Sequence, residues 1–147
     1  MLIRIKKAKK EDIYKIYSFV SAYFKEIEKT NLNKLETIKA IKNNLSNKKH
    51  FYFYIRFEGK NVGLIHLYIK KNFADLCLIY IIPKFRNKGL GGNSLKEVLN
   101  FLKKRGIKKL LIEISSENKK SFNFFKNSLF KNLETKIKSY IYQVNLK

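Results

Sequence analysis

Several residue types that would constrain the fold or the chemistry are scarce in this chain of 147 residues. It has one cysteine, Cys77, so no internal disulfide can form. Because Cys77 lies in an apolar run, we expect a packed core thiol in a reducing compartment and not a nucleophile. The two histidines, His50 and His66, have no further ligand at metal-binding spacing, and we therefore predict no metal site.

Long apolar runs are also missing, and we expect no targeting segment. No run reaches the ~20 residues that a membrane-spanning helix needs, and the first residues alternate like a strand, unlike a signal peptide. There is no low-complexity linker and no internal repeat, and the length suits one domain over residues 1–147. We expect a cytoplasmic protein, monomeric or homodimeric, with no membrane partner.

Acidic residues are few, 11 against 33 basic ones, which gives a net charge of +22. Such a charge is typical of nucleic-acid-binding proteins, because clustered lysines release counterions from phosphate backbones. Here the lysines are scattered over the whole chain, which favours a solvated surface. Lysine, asparagine, isoleucine, phenylalanine and tyrosine, all abundant, have A/T-rich codons, so codon bias explains much of the charge. A nucleic-acid-binding module is the weaker alternative.

The apolar pattern predicts alternating strands and helices in the first half of the chain. Asn33 and Glu36 have the spacing of a capping box at the start of the second helix. The predicted elements are a strand at 2–6, a helix from Ile13 to Phe24, a helix from Asn33 to Leu45, a hairpin at 51–57 and 62–69 with its turn at 58–61, and a strand ending at Ile82.

The stretch from Ala74 to Gly106 is the one around which the rest is organised. It contains an apolar run, the single proline, a basic glycine-rich turn at 86–92 and an amphipathic helix that Gly106 ends. A strand that enters a helix through such a turn leaves backbone N–H groups unpaired, and these bind phosphate. Neither the nucleoside-triphosphate loop nor the dinucleotide fingerprint is present. The residues alone leave a phosphate site and a solvated basic turn equally open.

A second set of elements follows the glycine-rich turn. The pattern predicts a strand at 110–114, a helix at 118–129 and one or two strands within 131–147. A strand-helix-strand unit makes a right-handed crossover, so the strand at 110–114 should lie parallel to the one ending at Ile82. The fold class is therefore mixed α/β, a central mixed sheet of about six to seven strands with helices on both faces.

Arg86, Gly89 and Gly91 stand between a strand and a helix with the spacing Arg-x-x-Gly-x-Gly, and Asn118 is followed by Ser121 three residues later. With these residues and in this order, the elements resemble the GNAT superfamily of acyl-CoA-dependent N-acetyltransferases over nearly the whole chain. The signature of that family is Arg/Gln-x-x-Gly-x-Gly/Ala. The resemblance implies the GNAT fold and an enzyme that transfers acetyl from acetyl-CoA to a primary amine, of a protein, peptide or small molecule, by direct attack on the thioester.

The resemblance also implies an acetyl-CoA site where the central strand separates from its parallel neighbour. Strand backbone groups would pair with the pantetheine arm, and an N–H near Ile81 would stabilise the oxyanion. Backbone N–H groups of the glycine-rich turn would hold the pyrophosphate with added charge from two basic side chains. The expected cofactor residues are Ile79, Tyr80 and Ile81 for pantetheine, Arg86, Asn87, Lys88, Gly89, Leu90, Gly91 and Gly92 for pyrophosphate, and Asn118 on the pantetheine side.

The acceptor amine is protonated at neutral pH, so the reaction needs a base. Glu113, on the strand beside the cofactor gap, matches a glutamate that serves as base in family members acetylating protein N-termini. It is the candidate catalytic residue, although a carboxylate that only balances nearby lysines remains an equal alternative. Asp75 is a weaker rival because it lies at the far start of its strand.

The chain departs from the family pattern at two places. Many relatives have a tyrosine as general acid seven residues after the Asn118 position, where this chain has Phe125, and the usual glycine-aromatic pair is replaced by Leu129-Phe130. A thiol has a pKa of roughly 8.5, so its anion can leave without an acid. Otherwise water or a tyrosine would serve, with Tyr80, Tyr140 and Tyr142 as candidates. A catalytically silent acyl-CoA-binding protein is the alternative.

The sequence does not identify the acceptor. The first two helices and the C-terminal strands would bind it, and they contain no motif that indicates a substrate. Peptide N-terminus, protein lysine, amino sugar and polyamine all remain open. The net positive charge disfavours polycations, so an acidic or neutral acceptor is slightly preferred.

Overall fold

The computed structural model describes residues 3–115, 119–126, 131–135 and 139–145. The described strands are β1 (Ile3–Lys7), β2 (His50–Phe57), β3 (Lys60–Lys70), β4 (Phe73–Ile81), β5 (Lys109–Ser115), β6 (Lys131–Thr135) and β7 (Ser139–Asn145). The described helices are α1 (Ile13–Glu26), α2 (Lys34–Leu45), α3 (Leu90–Lys104) and α4 (Lys119–Lys126), with short 3-10 turns at Lys10–Asp12 and Pro83–Phe85.

Within these ranges, one seven-stranded sheet has the order β1-β2-β3-β4-β5-β7-β6. The pair β4 and β5 is parallel, whereas the other neighbouring strands are antiparallel. The parallel pair is the one joined through α3, as a strand-helix-strand crossover requires. The mixed α/β class and the parallel pairing predicted from the sequence are confirmed.

Helices α1 and α2 cover one face of the sheet. Asn33 caps α2, because its Oδ1 atom accepts a hydrogen bond from the Glu36 backbone N–H at 3.0 Å, as the spacing of these residues predicts. The two helices and the strands beneath them share a buried cluster, the α1/α2-side core: Ala8, Ile16, Ile41, Tyr52, Tyr54, Leu64, Leu78 and Tyr80. The tyrosines of β2 and β4 lie on this face, whereas the phenylalanines of β2 lie on the opposite one.

Helices α3 and α4 cover the opposite face, so the expectation of helices on both faces is confirmed. Five apolar side chains of α3 are buried there, and Phe125 of α4 joins them. We call this cluster the α3-side core. Gly106, just past α3, has φ +75°, the left-handed conformation expected at a helix end.

The β2-β3 hairpin has a shorter turn than predicted. Its loop is the two residues Glu58 and Gly59, with φ of 50° and 77°. Two successive left-handed residues match the right-handed twist of the flanking strands, which is why glycine is favoured there. Strand β3 consequently begins at Lys60, within the stretch predicted as turn.

Cys77 lies in β4, but the prediction of a packed core thiol is wrong, since its side chain is exposed. The register against β3 skips Cys77 between Leu76 and Leu78, which makes it the extra residue of a β-bulge. The bulge reverses the alternation of the strand: Leu76 belongs to the α3-side core and Leu78 to the α1/α2-side core. The sequence does not indicate this bulge. A bulge changes which face the following residues occupy, and in a continuous apolar run the two faces look alike.

Some predictions fall outside the described ranges. These are Asn118, the end of the last predicted helix at 127–129, and the pair Leu129-Phe130. Among the helices that the structure describes, none is both long and apolar enough to cross a membrane.

Candidate active site

Strands β4 and β5 pair only at their first residues. Their register runs from Phe73 opposite Lys109 to Asp75 opposite Leu111, and no later pair joins them within the described ranges. Backbone N–H and C=O groups beyond Asp75 therefore face a gap, where an extended ligand with amide groups can pair with them. The separation of the central strand from its parallel neighbour is as expected.

The end of β4 is held by a close approach of β3. Gly63 lies opposite Ile81 in the register, and a Cβ atom at Gly63 would come within 2.3 Å of the Tyr80 carbonyl oxygen. Only glycine permits this backbone contact. It fixes Tyr80 and Ile81 at the open end of the gap.

The glycine-rich turn presents unpaired N–H groups. Asn87 and Gly89 have φ of 61° and 77°, and the first helical hydrogen bond of α3 runs from the Asn93 N–H to the Gly89 carbonyl at 3.1 Å. The N–H groups of Leu90, Gly91 and Gly92 precede that bond, so they lie at the positive end of the helix dipole without intrahelical partners. This arrangement suits an anionic group such as phosphate.

A cavity of about 870 Å³ joins the turn to the gap between β4 and β5. It is lined by backbone and side chains of β4, the glycine-rich turn, α1, α3 and α4: Tyr23, Ile27, Ile79, Tyr80, Ile81, Phe85, Arg86, Asn87, Gly89, Leu90, Gly91, Gly92, Leu95, Lys96, Leu99, Lys120, Asn123, Phe124 and Phe125. Most of the cofactor residues expected from the sequence therefore surround one cavity. Lys88 is exposed and outside this lining.

Arg86 has several partners at the edge of this cavity. Its Nη1 atom lies 2.5 Å from Glu26 Oε2, and its Nη2 atom lies 3.0 Å from Glu26 Oε1. Its Nε atom donates to the Ile81 carbonyl at 2.8 Å, and the guanidinium lies 5.3 Å from the Tyr80 ring centre. The side chain expected to add charge at the pyrophosphate is thus tied to the end of α1 and the end of β4.

Glu26 and Tyr80 form the second part of this cluster. The Tyr80 hydroxyl donates to Glu26 Oε1 at 3.1 Å. Hydrogen bonding from Arg86 is the main cause that holds the pKa of Glu26 below its usual range. Burial is the main cause that raises the pKa of Tyr80, and its hydrogen bond to Glu26 adds to the effect. Glu26 is therefore ionised at neutral pH and Tyr80 keeps its proton.

Helix α1 supplies one wall of the cavity through its last turn. The Tyr23 hydroxyl donates to Glu28 Oε1 at 3.0 Å, and its ring meets the Tyr80 ring edge-on with centres 6.3 Å apart. Burial, followed by the charge of Glu28, raises the pKa of Tyr23. The wall itself is aromatic and apolar, and two carboxylates, Glu26 and Glu28, bond its tyrosines without lining the cavity.

Helix α4 supplies another wall with two phenylalanines. Phe125 is 1% exposed and belongs to the α3-side core, and the Phe124 ring packs on the first turn of α3 at Gly91. Phe125 lines the cavity. Because it is a phenylalanine where many relatives have a tyrosine, it brings no hydroxyl to the cavity.

Glu113 lies in β5, beyond the last residue that pairs with β4. It is exposed and sits between Ile112 and Ile114, which pack with the α3-side core, so alternation directs it to the α1/α2 face. It does not line the cavity. Asp75, the weaker rival, lies in the paired part of β4, and Lys70 Nζ lies 3.0 Å from its Oδ2 atom.

The histidines meet in a way that their spacing did not indicate. His50 Nδ1 lies 2.9 Å from His66 Nε2, because β2 and β3 pair at this point. The Tyr52 ring stacks on His66 with centres 4.2 Å apart. Within the described ranges, no group of three or more potential ligands could hold a metal ion.

Several lining residues carried no sequence signal, among them Tyr23 in α1, Ile27 just past its end, and Lys120 and Asn123 of α4. Glu26 was also not foreseen. Tertiary packing brings these residues to the cavity from positions far from the signature, so no spacing rule applies to them. The one available hint was that Glu26 and Glu28 are two of only 11 acidic residues.

Comparison with known proteins gives one family. Residues 6–129 match the model of the Acetyltransferase (GNAT) family. A spermidine N(1)-acetyltransferase from Thermoplasma acidophilum is 31% identical over 70 residues, which are 48% of this chain and 44% of that enzyme. The chain thus spans less than half the length of this relative.

Solved structures share the whole fold. The PaiA N-acetyltransferase from Thermoplasma acidophilum, in complex with coenzyme A, has a TM-score of 0.83 at 22% identity and covers 99% of both chains. The ribosomal-protein-S18-alanine N-acetyltransferase from Escherichia coli has a TM-score of 0.78 at 17% identity, covering 99% of this chain and 95% of that one. At these identities the likeness concerns the fold alone.

Proposed function

The chain belongs to the Acetyltransferase (GNAT) family, and we propose that it transfers an acetyl group from acetyl-CoA to a primary amine by direct attack on the thioester. The observation that carries the proposal is the cavity that joins the N-terminus of α3 to the gap between β4 and β5. Acetyl-CoA, the acyl donor of this family, supplies the activated thioester.

The residues present fit that donor. The unpaired N–H groups of Leu90, Gly91 and Gly92 suit a pyrophosphate, and the unpaired edge of β4 at Ile79 and Ile81 suits an amide-containing arm. A mainly apolar lining follows along α3 and α4, with Lys96 and Lys120 as its charged residues. Asn87 and Lys88 extend the same turn, and the proposed role of Asn118 on the pantetheine side rests on the family resemblance.

Glu113 is the proposed base. It lies in β5 on the face of α1 and α2, opposite the α3-side core, so an amine that enters from that face can lose its proton to Glu113 directly or through water. A backbone N–H near Ile81 would stabilise the charge that develops on the thioester oxygen. Since Phe125 has no hydroxyl, the proposed leaving thiolate departs as the anion or takes a proton from water.

The acceptor class has support from two sides. The relative from Thermoplasma acidophilum acts, by its name, on spermidine, and the structural neighbour from Escherichia coli acts, by its name, on an alanine of ribosomal protein S18. The net charge of +22 disfavours a polycation, whereas Glu28 adds one negative charge beside the α1 wall, since the charge of Glu26 is balanced by Arg86. We propose an acceptor with a single ammonium group, as at a peptide N-terminus; spermidine is the second candidate.

Titration calorimetry with coenzyme A tests the donor site. We expect one saturable site, and weaker binding of pantetheine, which lacks the pyrophosphate. Thermal unfolding should show a melting temperature that increases with the concentration of coenzyme A. An unchanged melting temperature at saturating coenzyme A would overturn the proposal. Thiol release from acetyl-CoA with an alanine-first peptide, a lysine peptide and spermidine then ranks the acceptors.

A catalytically silent acyl-CoA-binding protein is the second candidate, favoured by Phe125. It predicts coenzyme A binding without thiol release above the rate in the absence of protein. Release with any amine of the panel would exclude it.

A further inference from the structure

Two residues sixty positions apart are joined at the mouth of the cavity. Glu26 is the last residue of α1, and Arg86 opens the glycine-rich turn after β4. The carboxylate accepts from both terminal nitrogens of the guanidinium, a two-bond geometry that fixes orientation as well as distance. Both side chains are about one quarter to one third exposed, at 26% and 31%, so solvent screens this pair less than a fully exposed one.

The pair also reaches β4 through two further contacts. The Nε atom of Arg86 donates to the Ile81 carbonyl, and the Tyr80 hydroxyl donates to Glu26. One cluster thus links the end of α1, the end of β4 and the start of the glycine-rich turn. In the proposed function, the α1 wall lies beside the acceptor, the end of β4 pairs with pantetheine, and the glycine-rich turn binds the pyrophosphate.

We propose that Glu26 is a positioning residue that holds the α1 wall against Arg86, so that ordering of the glycine-rich turn by coenzyme A also orders the end of α1. This inference rests on the proposed function. Glu26 would not touch the reacting atoms. It would act through Arg86 and Tyr80, which line the cavity while Glu26 itself does not.

The negative charge of Glu26 predicts in which direction the affinity for coenzyme A changes when that charge is removed. A carboxylate beside the pyrophosphate turn repels an anionic ligand, so a residue kept only for coenzyme A affinity would not be acidic. Glu26→Gln removes this repulsion and keeps an oxygen that accepts from Tyr80. Coenzyme A should therefore bind equally tightly or more tightly, while the link to α1 is lost. General structural damage would weaken binding instead.

Hydrogen exchange measured with and without coenzyme A tests the link. The reporters are two amides just past the end of α1 that bond its last turn: the Ile27 N–H bonds the Tyr23 carbonyl at 2.8 Å and the Thr30 N–H bonds the Phe24 carbonyl at 2.9 Å. In the wild type, coenzyme A should slow exchange at 87–92 and also slow these reporters by about fivefold or more. In Glu26→Gln, protection should persist at 87–92 and be lost at the reporters. Glu26→Asp, which keeps the charge on a shorter side chain, should retain part of it.

Asp75→Asn is the matched control. It breaks another ion pair, between Asp75 and Lys70 in the paired part of β4, and should leave protection of the α1 reporters unchanged. Protection of those reporters in Glu26→Gln as strong as in the wild type would overturn the inference, because the ligand would then order α1 by direct contact. Weaker coenzyme A binding by Glu26→Gln would overturn it too. Absence of protection at 87–92 in the wild type would count against the proposed function instead.

Discussion

The ring of Phe124 lies 3.2 Å from the point that a Cβ atom on Gly91 would occupy. This contact packs α4 against the first turn of α3, beside the N–H groups proposed to hold the pyrophosphate. At the next residue, Gly92, nothing lies within 4 Å of the corresponding point. A side chain would therefore press on Phe124 at Gly91, whereas Gly92 has room for one.

Replacement of these two glycines by alanine should separate packing from helix propensity. Gly92→Ala should stabilise the protein by up to about 1 kcal/mol, since alanine favours the helix. Gly91→Ala gains the same propensity but presses on Phe124, so we expect a lower free energy of unfolding than for Gly92→Ala. Urea unfolding of both variants measures the difference. Equal stabilities would contradict the packing role of Gly91.

Gly63→Ala should be strongly destabilising. The new Cβ atom would lie 2.3 Å from the Tyr80 carbonyl oxygen, a backbone atom that cannot move without shifting β4. We expect a loss of roughly 3 kcal/mol or more in the free energy of unfolding. Gly106→Ala is the control, because it meets only the left-handed backbone strain and should cost about 1 kcal/mol. A smaller loss for Gly63→Ala than for Gly106→Ala would refute the close approach.

Glu113→Gln tests the proposed base. Loss of a general base should lower the turnover number by about 10²–10⁴-fold and leave the dissociation constant of coenzyme A unchanged. Asp75→Asn, the same change at the rival carboxylate, should keep wild-type turnover. Steady-state kinetics with the best amine of the panel measure both. Full activity of Glu113→Gln would return Glu113 to the role of a surface charge.

Phe125→Tyr should add the general acid that this chain lacks. We expect turnover to rise by about tenfold at pH 6.5 and little at pH 9, because a leaving thiol with a pKa of roughly 8.5 takes up a proton at pH 6.5 but stays an anion at pH 9. Phe124→Tyr, one residue earlier, is the control and should give no such pH-dependent gain. Equal ratios of variant to wild type at both pH values would show that thiol departure does not limit the reaction.

His66 should make stability depend on pH. Burial, followed by the charge of His50, lowers the pKa of His66 from 6.5 to about 3. Between these two pH values the unfolded chain binds a proton at His66 and the folded protein does not. The free energy of unfolding therefore falls as the pH drops from 6.5 towards 3, by at most about 1.4 kcal/mol per pH unit. His66→Gln should flatten this dependence between pH 6.5 and 4 in urea unfolding. An unchanged slope would mean that His66 accepts its proton in the folded state.

Much of the fold followed from the sequence. Apolar periodicity predicted the order of the elements, and the Asn33 cap and the Gly106 helix end are local features that neighbouring residues determine. The position of Cys77 was predicted wrongly, since the bulge that exposes it depends on how β3 pairs with β4. The encounter of His50 with His66 depends on strand register in the same way.

The sequence by itself determined the glycine-rich turn, its place between a strand and a helix, and the missing hydroxyl at Phe125, because each lies within a few consecutive residues. Only the tertiary structure decided which residues share the cavity. Arg86 was expected at the pyrophosphate, yet its guanidinium bonds Glu26, a residue that no spacing connects with it. Such a contact arises from the packing of α1 against the sheet, which depends on the whole core and not on any local pattern.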